Sequence, residues 1–586
     1  MCGIIGYKGY RNSNLIALNA LKSLEYRGYD SWGIANKTDI LNLFKTTGRI
    51  GHIENINLPE AKIVIGHTRW ATHGPVTKEN AHPHLSDDKS IAVVHNGIIE
   101  NFQELRSFLK EKGINFHSDT DTEVIPNFIQ YYMTQGDDFR EAFRQTLLKL
   151  EGAFSIVAIH KYYDAVLFGR KDSPLVLGLG ENEYFIASDV PAFLEHTNKV
   201  MYLNDNEYGM LNDKPQIFTI DTNIPIKRKE KQIDWTVEQA QKGDYPHFML
   251  KEIIEQKETI TKAVQQDDKK IKQIADLINN AFGTYFVACG TASFVTKIGA
   301  YLFSKIAKKH INIACGSEFP NYRHFLTDKS LMIVVSQSGE TADTITAIKT
   351  AKEKGVKVVA IVNVMDSTIM RMADYSFLTN AGPEIGVAST KATTAQTALL
   401  TLLAYACDNR LEKGKELFKK ASEKCRFMFE NDYIKNIEEL AEKIKNKNDI
   451  YVIGRSTNYP VALEAALKIK EVSYIHAEGM AGGELKHGTI ALIDNGTPTI
   501  VLVSNDECKN DILSNASEIK SRGGYMIGIS PDNNELFDYW IKVPAIGNAS
   551  PIAHLIPAQL LSYYLAVKRN CDPDKPRNLA KSVTVK

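Results

Sequence analysis

Two stretches of this chain, 164 residues apart, end an apolar run on the same kind of glycine turn: Tyr285-Phe-Val-Ala-Cys-Gly290 and Asp449-Ile-Tyr-Val-Ile-Gly454. A second apolar run follows each, reaching its polar end 46–50 residues after the glycine, at Leu331–Ser336-Gln337-Ser338 and at Thr499–Val503-Ser504. A third begins about 26 residues further on, Val358–Val362 and Tyr525–Ile529, with helical spacing in between. Strands that are apolar on both faces and alternate with helices specify a parallel sheet closed by right-handed crossovers. An offset of about 164–168 residues therefore predicts two similar doubly wound α/β subdomains.

The first ~215 residues follow another pattern, short apolar runs bounded by Gly, Asn or Asp. Strands are expected at Cys2–Tyr7, Ala61–His67, Ile91–His95, Ser155–Ile159, Ala165–Gly169 and Tyr184–Ala187, and helices at Asn14–Leu24 and Thr122–Gln135. This half reads as α/β with a large antiparallel sheet component. From Asp213 to Asp244 the chain turns polar, with the run Lys227-Arg-Lys-Glu-Lys231, which reads as a solvated linker. At 586 residues the chain is too long for one core. Its 70 basic and 70 acidic residues leave no electrostatic footprint for nucleic acid or an anionic membrane. The absence of a long apolar run or a signal-peptide pattern gives a cytoplasmic expectation. Seven scattered cysteines, never in a CxxC pair, argue against a disulfide framework and a zinc site.

Three constellations carry chemistry. The chain opens Met1-Cys2-Gly3-Ile4, so removal of Met1 would place a thiol and an α-amino group of near-neutral pKa on one residue. Met-Cys starts also arise by chance, and that alternative stands on this segment alone. Ser336-Gln-Ser-Gly-Glu-Thr341 lies where a strand ends and a helix should begin, a place that binds phosphate or that needs one hydroxyl as a cap. Four hydrogen-bonding side chains in six positions favour the ligand, and the absence of GxxxxGK[ST] points away from ATP. Glu464, Lys468 and Glu471 share one helix face. That stripe is either a solvated surface or, with His487 close behind, the equipment for moving a proton between sugar carbons.

These residues sit in longer motifs: LEYRGYDS (Leu24–Ser31), HTRWATHG (His67–Gly74), NAHPH, HNGIIEN (His95–Asn101), SDTDTEV, ACGT (Ala288–Thr291), SQSGETADT (Ser336–Thr344), EIGVASTKA (Glu384–Ala392), HAE, GELKHG and PRNLAKSVTV. Together they resemble the glucosamine-6-phosphate synthase family, the isomerising glutamine–fructose-6-phosphate aminotransferases. The resemblance implies an N-terminal Ntn-hydrolase fold (a class II glutamine amidotransferase αββα sandwich) followed by two SIS subdomains. It implies a glutaminase domain at 2–215, a linker at 216–244, SIS domains at 275–414 and 441–577, and a catalytic tail at 578–586. By the same resemblance Cys2 attacks glutamine, Asn96 and the Gly97 N–H form the oxyanion hole, Arg69 and Asp121 hold the α-carboxylate and ammonium, His73 lines the site, and Trp70 gates an ammonia channel. Ser336, Gln337, Ser338 and Thr341 hold the phosphate of fructose 6-phosphate, with Thr291, Val387, Ala388 and Ser389 near the sugar. Lys581 forms a Schiff base, Glu471 moves the proton, Lys468 assists, and His487 opens the ring from a neighbouring subunit. That last role implies a homodimer or higher homo-oligomer. L-Glutamine and fructose 6-phosphate are the implied ligands, with no cofactor, metal, nucleic acid or membrane.

Ala292 after ACGT and Trp32 after YDS depart from the family pattern, and Trp32 is expected to repack the floor of the glutaminase site. Two rival readings remain: an amidotransferase delivering ammonia to another acceptor, such as phosphoribosyl diphosphate, and a non-enzymatic sugar-phosphate sensor.

Overall fold

A computed structural model describes residues 2–233, 239 and 241–584. They divide into two compact units, one holding Met1–Ala240 with Ala580–Lys586, the other Gln241–Leu579.

In the N-terminal unit, strand faces alternate between two destinations. Along Gly3–Lys8, Ile5 and Tyr7 pack beneath the helix Ser13–Leu24, while Ile4 points to a core shared by two sheets. Along Ile91–Ile99, Ile91 and Val93 face the helices Phe102–Glu111, Val124–Thr134 and Phe139–Lys149, while Ala92 and Val94 enter the shared core. Apolar side chains on both faces of a strand require a layer on each side, and the result is a helix–sheet–sheet–helix sandwich. One sheet has eight strands and the other seven, paired antiparallel throughout.

The expected linker needs correction. Pro215–Thr219 and Pro225–Ile226 complete the seven-stranded sheet, and Lys231–Gln232 edges the eight-stranded one. The segment looks like linker in sequence because Pro225–Ile226 and Lys231–Gln232 are two-residue edge strands and most of its side chains meet water. Residues 234–238 and 240 lie outside the described residues.

The second unit holds two five-stranded parallel sheets of identical order. In the first, Asn312–Cys315, Gly283–Ala288, Ser330–Ser336, Lys357–Val362 and Tyr375–Leu378 lie side by side. In the second, His476–Ala481, Asp449–Gly454, Pro498–Leu502, Tyr525–Ser530 and Tyr539–Lys542 do the same. The doubly wound expectation holds. The two outermost strands of each sheet escaped the sequence reading because they are less apolar, and three of the four are only four residues long. Helices Phe248–Ala263, Lys391–Cys407, Asn458–Ser473 and Ser550–Lys568 join both repeats in one core. Among the described residues no helix is long and apolar enough to cross a membrane.

Candidate active sites

Cys2 immediately precedes the first strand, and its carbonyl and thiol are held from different elements. Trp70 N–H donates to Sγ at 3.2 Å, while Asn96 Nδ2 at 2.9 Å and Arg27 Nε at 3.2 Å donate to the Cys2 carbonyl. Burial pushes the thiol pKa up, and the Trp70 N–H, Arg69 and Arg27 pull against it. Asn96 and Gly97 lie on the strand Ile91–Ile99, paired with Ser155 and Phe154. Gly97 has φ +126°, and a Cβ there would sit 1.9 Å from the Ala153 carbonyl oxygen, so only glycine fits.

Arg69 is buried, its guanidinium donating to the carbonyls of His73, Gly74 and Pro75. Asp121, also buried, accepts Ile99 N–H at 2.8 Å through Oδ2 and acts electrostatically on Arg69. Cys2, Asn96, Gly97, Arg69, Trp70, His73 and Asp121 thus belong to one unit. Trp70 is half-buried with its ring edge-on to Tyr29, centroids 5.7 Å apart, and the His73 ring meets Phe102. Trp32 packs against Phe44 in the helix-side core.

Behind Asn96 lie residues that the sequence reading left without a role. His67, His82, His84 and His95 are all buried, and the His67 and His82 rings stack at 4.0 Å. Burial holds each pKa down, His67 at about 3, with neighbouring positive charge adding to the effect. Ser188 Oγ accepts from Asn96 Nδ2 at 2.7 Å and from Ile4 N–H at 2.9 Å. His67 stands inside HTRWATHG, the one signal that could have flagged it.

In the second unit, the strand order places Gly283–Ala288 beside Ser330–Ser336, and the connections leave these two strands in opposite directions across the sheet. That switch point is where open α/β sheets bind ligands. Thr291 follows the first strand and the Ser336–Thr341 loop the second. Within the loop Ser336 Oγ lies 3.2 Å from Thr341 Oγ1 and accepts Gly339 N–H at 3.0 Å. Ser338 Oγ accepts Glu340 N–H at 3.2 Å, and Asn363 N–H donates to the Gln337 carbonyl at 3.1 Å. Gly339 has φ +66°, and a Cβ would fall 2.0 Å from Ser367 Oγ. The helix Ala342–Glu353 starts directly after this hydroxyl-rich turn, so its first N–H groups face the same place.

The charged stripe is not a surface stripe: Glu464 and Lys468 are buried. Lys468 Nζ binds Glu471 in a short ion pair and lies 3.6 Å from Glu464, which accepts the Thr291 hydroxyl at 3.2 Å. Burial, then the Glu471 charge, push Glu464 up to about 8 against the pull of Lys468 and Thr291. Glu384, which accepts from Ser389 Oγ at 3.0 Å and from the Thr390 and Ala392 N–H groups, also acts electrostatically on Lys468. The loop carrying Val387 and Ala388 is tied by Val387 N–H to the Asp574 carbonyl at 3.1 Å. Thr291, Lys468, Glu471 and Ser389 are therefore linked in one cluster, together with Glu464 of the same stripe and with Glu384, to which the sequence reading gave no role. His487 is exposed on the turn Gly482–His487, which packs on helix Lys509–Lys520. Lys581 is half-buried and falls with the N-terminal unit.

An αββα sandwich carrying an N-terminal cysteine against an Asn-Gly strand, in one chain with paired doubly wound sheets, defines a glutamine amidotransferase domain joined to two SIS domains. Residues 54–213 match the glutamine amidotransferase domain, and 277–406 and 443–569 each match the SIS domain. Over all of both chains the protein is 45% identical to the glutamine–fructose-6-phosphate aminotransferase (isomerizing) of Thermococcus kodakarensis and 43% identical to that of Pyrococcus horikoshii. The solved C-terminal domain of glucosamine-fructose-6-phosphate aminotransferase from Francisella tularensis is 34% identical, with a TM-score of 0.53 over 57% of this chain and 100% of that one. The chain belongs to the isomerizing glutamine–fructose-6-phosphate aminotransferase family.

Proposed function

We propose that this chain converts L-glutamine and D-fructose 6-phosphate to L-glutamate and D-glucosamine 6-phosphate, the first step of hexosamine synthesis. The observation that carries the reading is the coexistence in one chain of a Cys2 thiol held 3.2 Å from Trp70 N–H, beside Asn96, and of a buried Lys468 between two carboxylates at a SIS switch point.

In the N-terminal site Cys2, freed of Met1, attacks the amide carbon with its own amino group as base. The tetrahedral oxyanion is stabilised by Asn96 and the Gly97 N–H, a type of contact worth roughly 10²–10³ in rate. Ammonia leaves, and water hydrolyses the thioester to glutamate. Arg69 takes the substrate α-carboxylate and Asp121 its ammonium, charge-assisted contacts that select glutamine; His73 lines the site. Ammonia passes through a channel gated by Trp70 and reaches the sugar unprotonated, because water would protonate and dilute it.

In the second site Ser336, Gln337, Ser338 and Thr341 bind phosphate, and Thr291, Val387, Ala388 and Ser389 line the sugar. Lys581 condenses with the C2 ketone and loses water; ammonia then displaces the lysine. Glu471 removes a proton from C1 and returns one to C2, leaving an aldehyde and an amine, with Lys468 beside it. His487 opens the ring from a partner subunit, making the active form at least a homodimer. The surroundings implied are those of a cytoplasmic enzyme.

Product analysis tests the reading: glutamine and fructose 6-phosphate should give glucosamine 6-phosphate and glutamate together, and Cys2→Ala should end glutamine-dependent formation of the amino sugar. Glutamate without amino sugar would sink the acceptor assignment.

A further inference from the structure

Asn96 can stabilise an oxyanion only if its carboxamide presents N–H₂, and not oxygen, toward Cys2. Hydrogen bonding fixes that orientation from both ends. His67 Nε2 lies 3.0 Å from the His95 carbonyl oxygen, which can only accept, so Nε2 carries the proton. The Asn96 atom 3.1 Å from the same Nε2 must then be the carbonyl oxygen Oδ1. At the far end Nδ2 faces the Cys2 carbonyl at 2.9 Å and Ser188 Oγ at 2.7 Å. A flipped amide would set N–H against N–H at the His67 end and its oxygen against the Cys2 carbonyl oxygen at the other.

Both amide hydrogens are thus engaged, one on Cys2 and one on Ser188. When charge develops on a bound substrate oxygen, the hydrogen aimed at the Cys2 carbonyl must turn to it. During that exchange the Cys2 carbonyl no longer specifies the amide, and His67 is the contact that still holds the oxygen end. The His67 ring is itself clamped. It has no exposed surface and stacks on His82 at 20° between planes, and His82 Nδ1 accepts His95 N–H at 3.3 Å.

We propose that His67 is a positioning residue of glutamine hydrolysis: its Nε2–H locks the Asn96 carboxamide with the N–H₂ group toward Cys2. The proposal rests on the oxyanion role assigned to Asn96. It is tested in the full chain with His67→Phe, which keeps a flat ring and removes the donor, His67→Gln, which restores an N–H donor, and Asn96→Ala as reference. The readouts are kcat and KM for glutamate release, and the affinities of L-glutamate and of glutamate γ-semialdehyde, whose aldehyde adds to the thiol and places an oxyanion in the hole. In His67→Phe, kcat should fall roughly 10²-fold with KM within about threefold. The aldehyde should weaken by a like factor while L-glutamate binding stays, and His67→Gln should recover at least about tenfold. An unchanged kcat in His67→Phe, equal losses in the Phe and Gln variants, or parallel loss of aldehyde and L-glutamate binding would each overturn the proposal. A full rate in Asn96→Ala would instead remove the assignment beneath it, and the proposal with it.

Discussion

His67, His82, His84 and His95 are buried in the glutaminase unit as neutral rings, with His82 in ring contact with His67 and His84, whereas Lys468 is buried in the SIS unit as an ion beside Glu464 and Glu471. Neutral imidazoles give up little hydration and can hold hydrogen-bond partners in a fixed tautomer. A buried ammonium loses several kcal/mol of hydration; here burial works against the charge and Glu464, Glu471 and Glu384 outweigh it, leaving the Lys468 pKa raised. Through Glu464 this ion is linked to Thr291 at the switch point. The first arrangement orients, and the second supplies charge.

The two regions also respond to pH in opposite senses. The histidines have folded pKa values below the unfolded ~6.5, so their stabilising effect is complete above that pH and is lost as pH falls toward the folded values. Glu464, raised to about 8, contributes stability that is complete below the unfolded carboxylate pKa and is lost as pH rises through about 8.

The largest expected effect follows from the histidines. Below pH ~6.5 the N-terminal unit should lose up to about 5 kcal/mol per pH unit, the limit for four protons taken up on unfolding. Hydrogen exchange, corrected for intrinsic rates and resolved by unit, reads this directly; equal acid sensitivity in both units would break the comparison. Next comes Lys468→Met, which strands the Glu471 carboxylate and leaves the buried Glu464 carboxyl without its cation. It should cost the SIS unit about 3–5 kcal/mol near neutral pH and less in mild acid, measured by denaturant unfolding. A cost that does not shrink in acid would contradict the ion network. Gly339→Ala should be smaller, about 1–3 kcal/mol from the left-handed φ and the Ser367 contact. It should raise KM for fructose 6-phosphate while leaving glutaminase KM alone, and an unchanged sugar KM would remove the loop from the phosphate site. The smallest is Glu464→Gln, which should flatten the pH dependence of SIS-unit stability between about pH 5 and 8 by roughly 1.4 kcal/mol per unit at most, one proton's share.

Legibility in the sequence followed burial. Val358–Val362 and Tyr525–Ile529 lie inside their sheets and read as strands at sight, but the edge strand Lys231–Gln232 looked like linker. The Ser336–Thr341 loop was visible because its chemistry is contiguous. Glu464 and Lys468 were visible as a stripe, but helical spacing cannot tell a buried stripe from a wet one. Ser188 was not visible at all: it meets Asn96 across 92 residues of chain, from just past the end of a strand in the other sheet of the sandwich. The placement of Ala580–Lys586 with the N-terminal unit was equally closed to a reading by neighbours in sequence.

The most direct test of the central claim supplies glutamine labelled with ¹⁵N on the amide, fructose 6-phosphate and excess unlabelled ammonium, and reads the mass of the amino sugar. The proposed transfer predicts glucosamine 6-phosphate carrying the label, with ammonia from Cys2 reaching the sugar before it mixes with solvent. Unlabelled product, or labelled ammonium free in solution with no amino sugar formed, would contradict it.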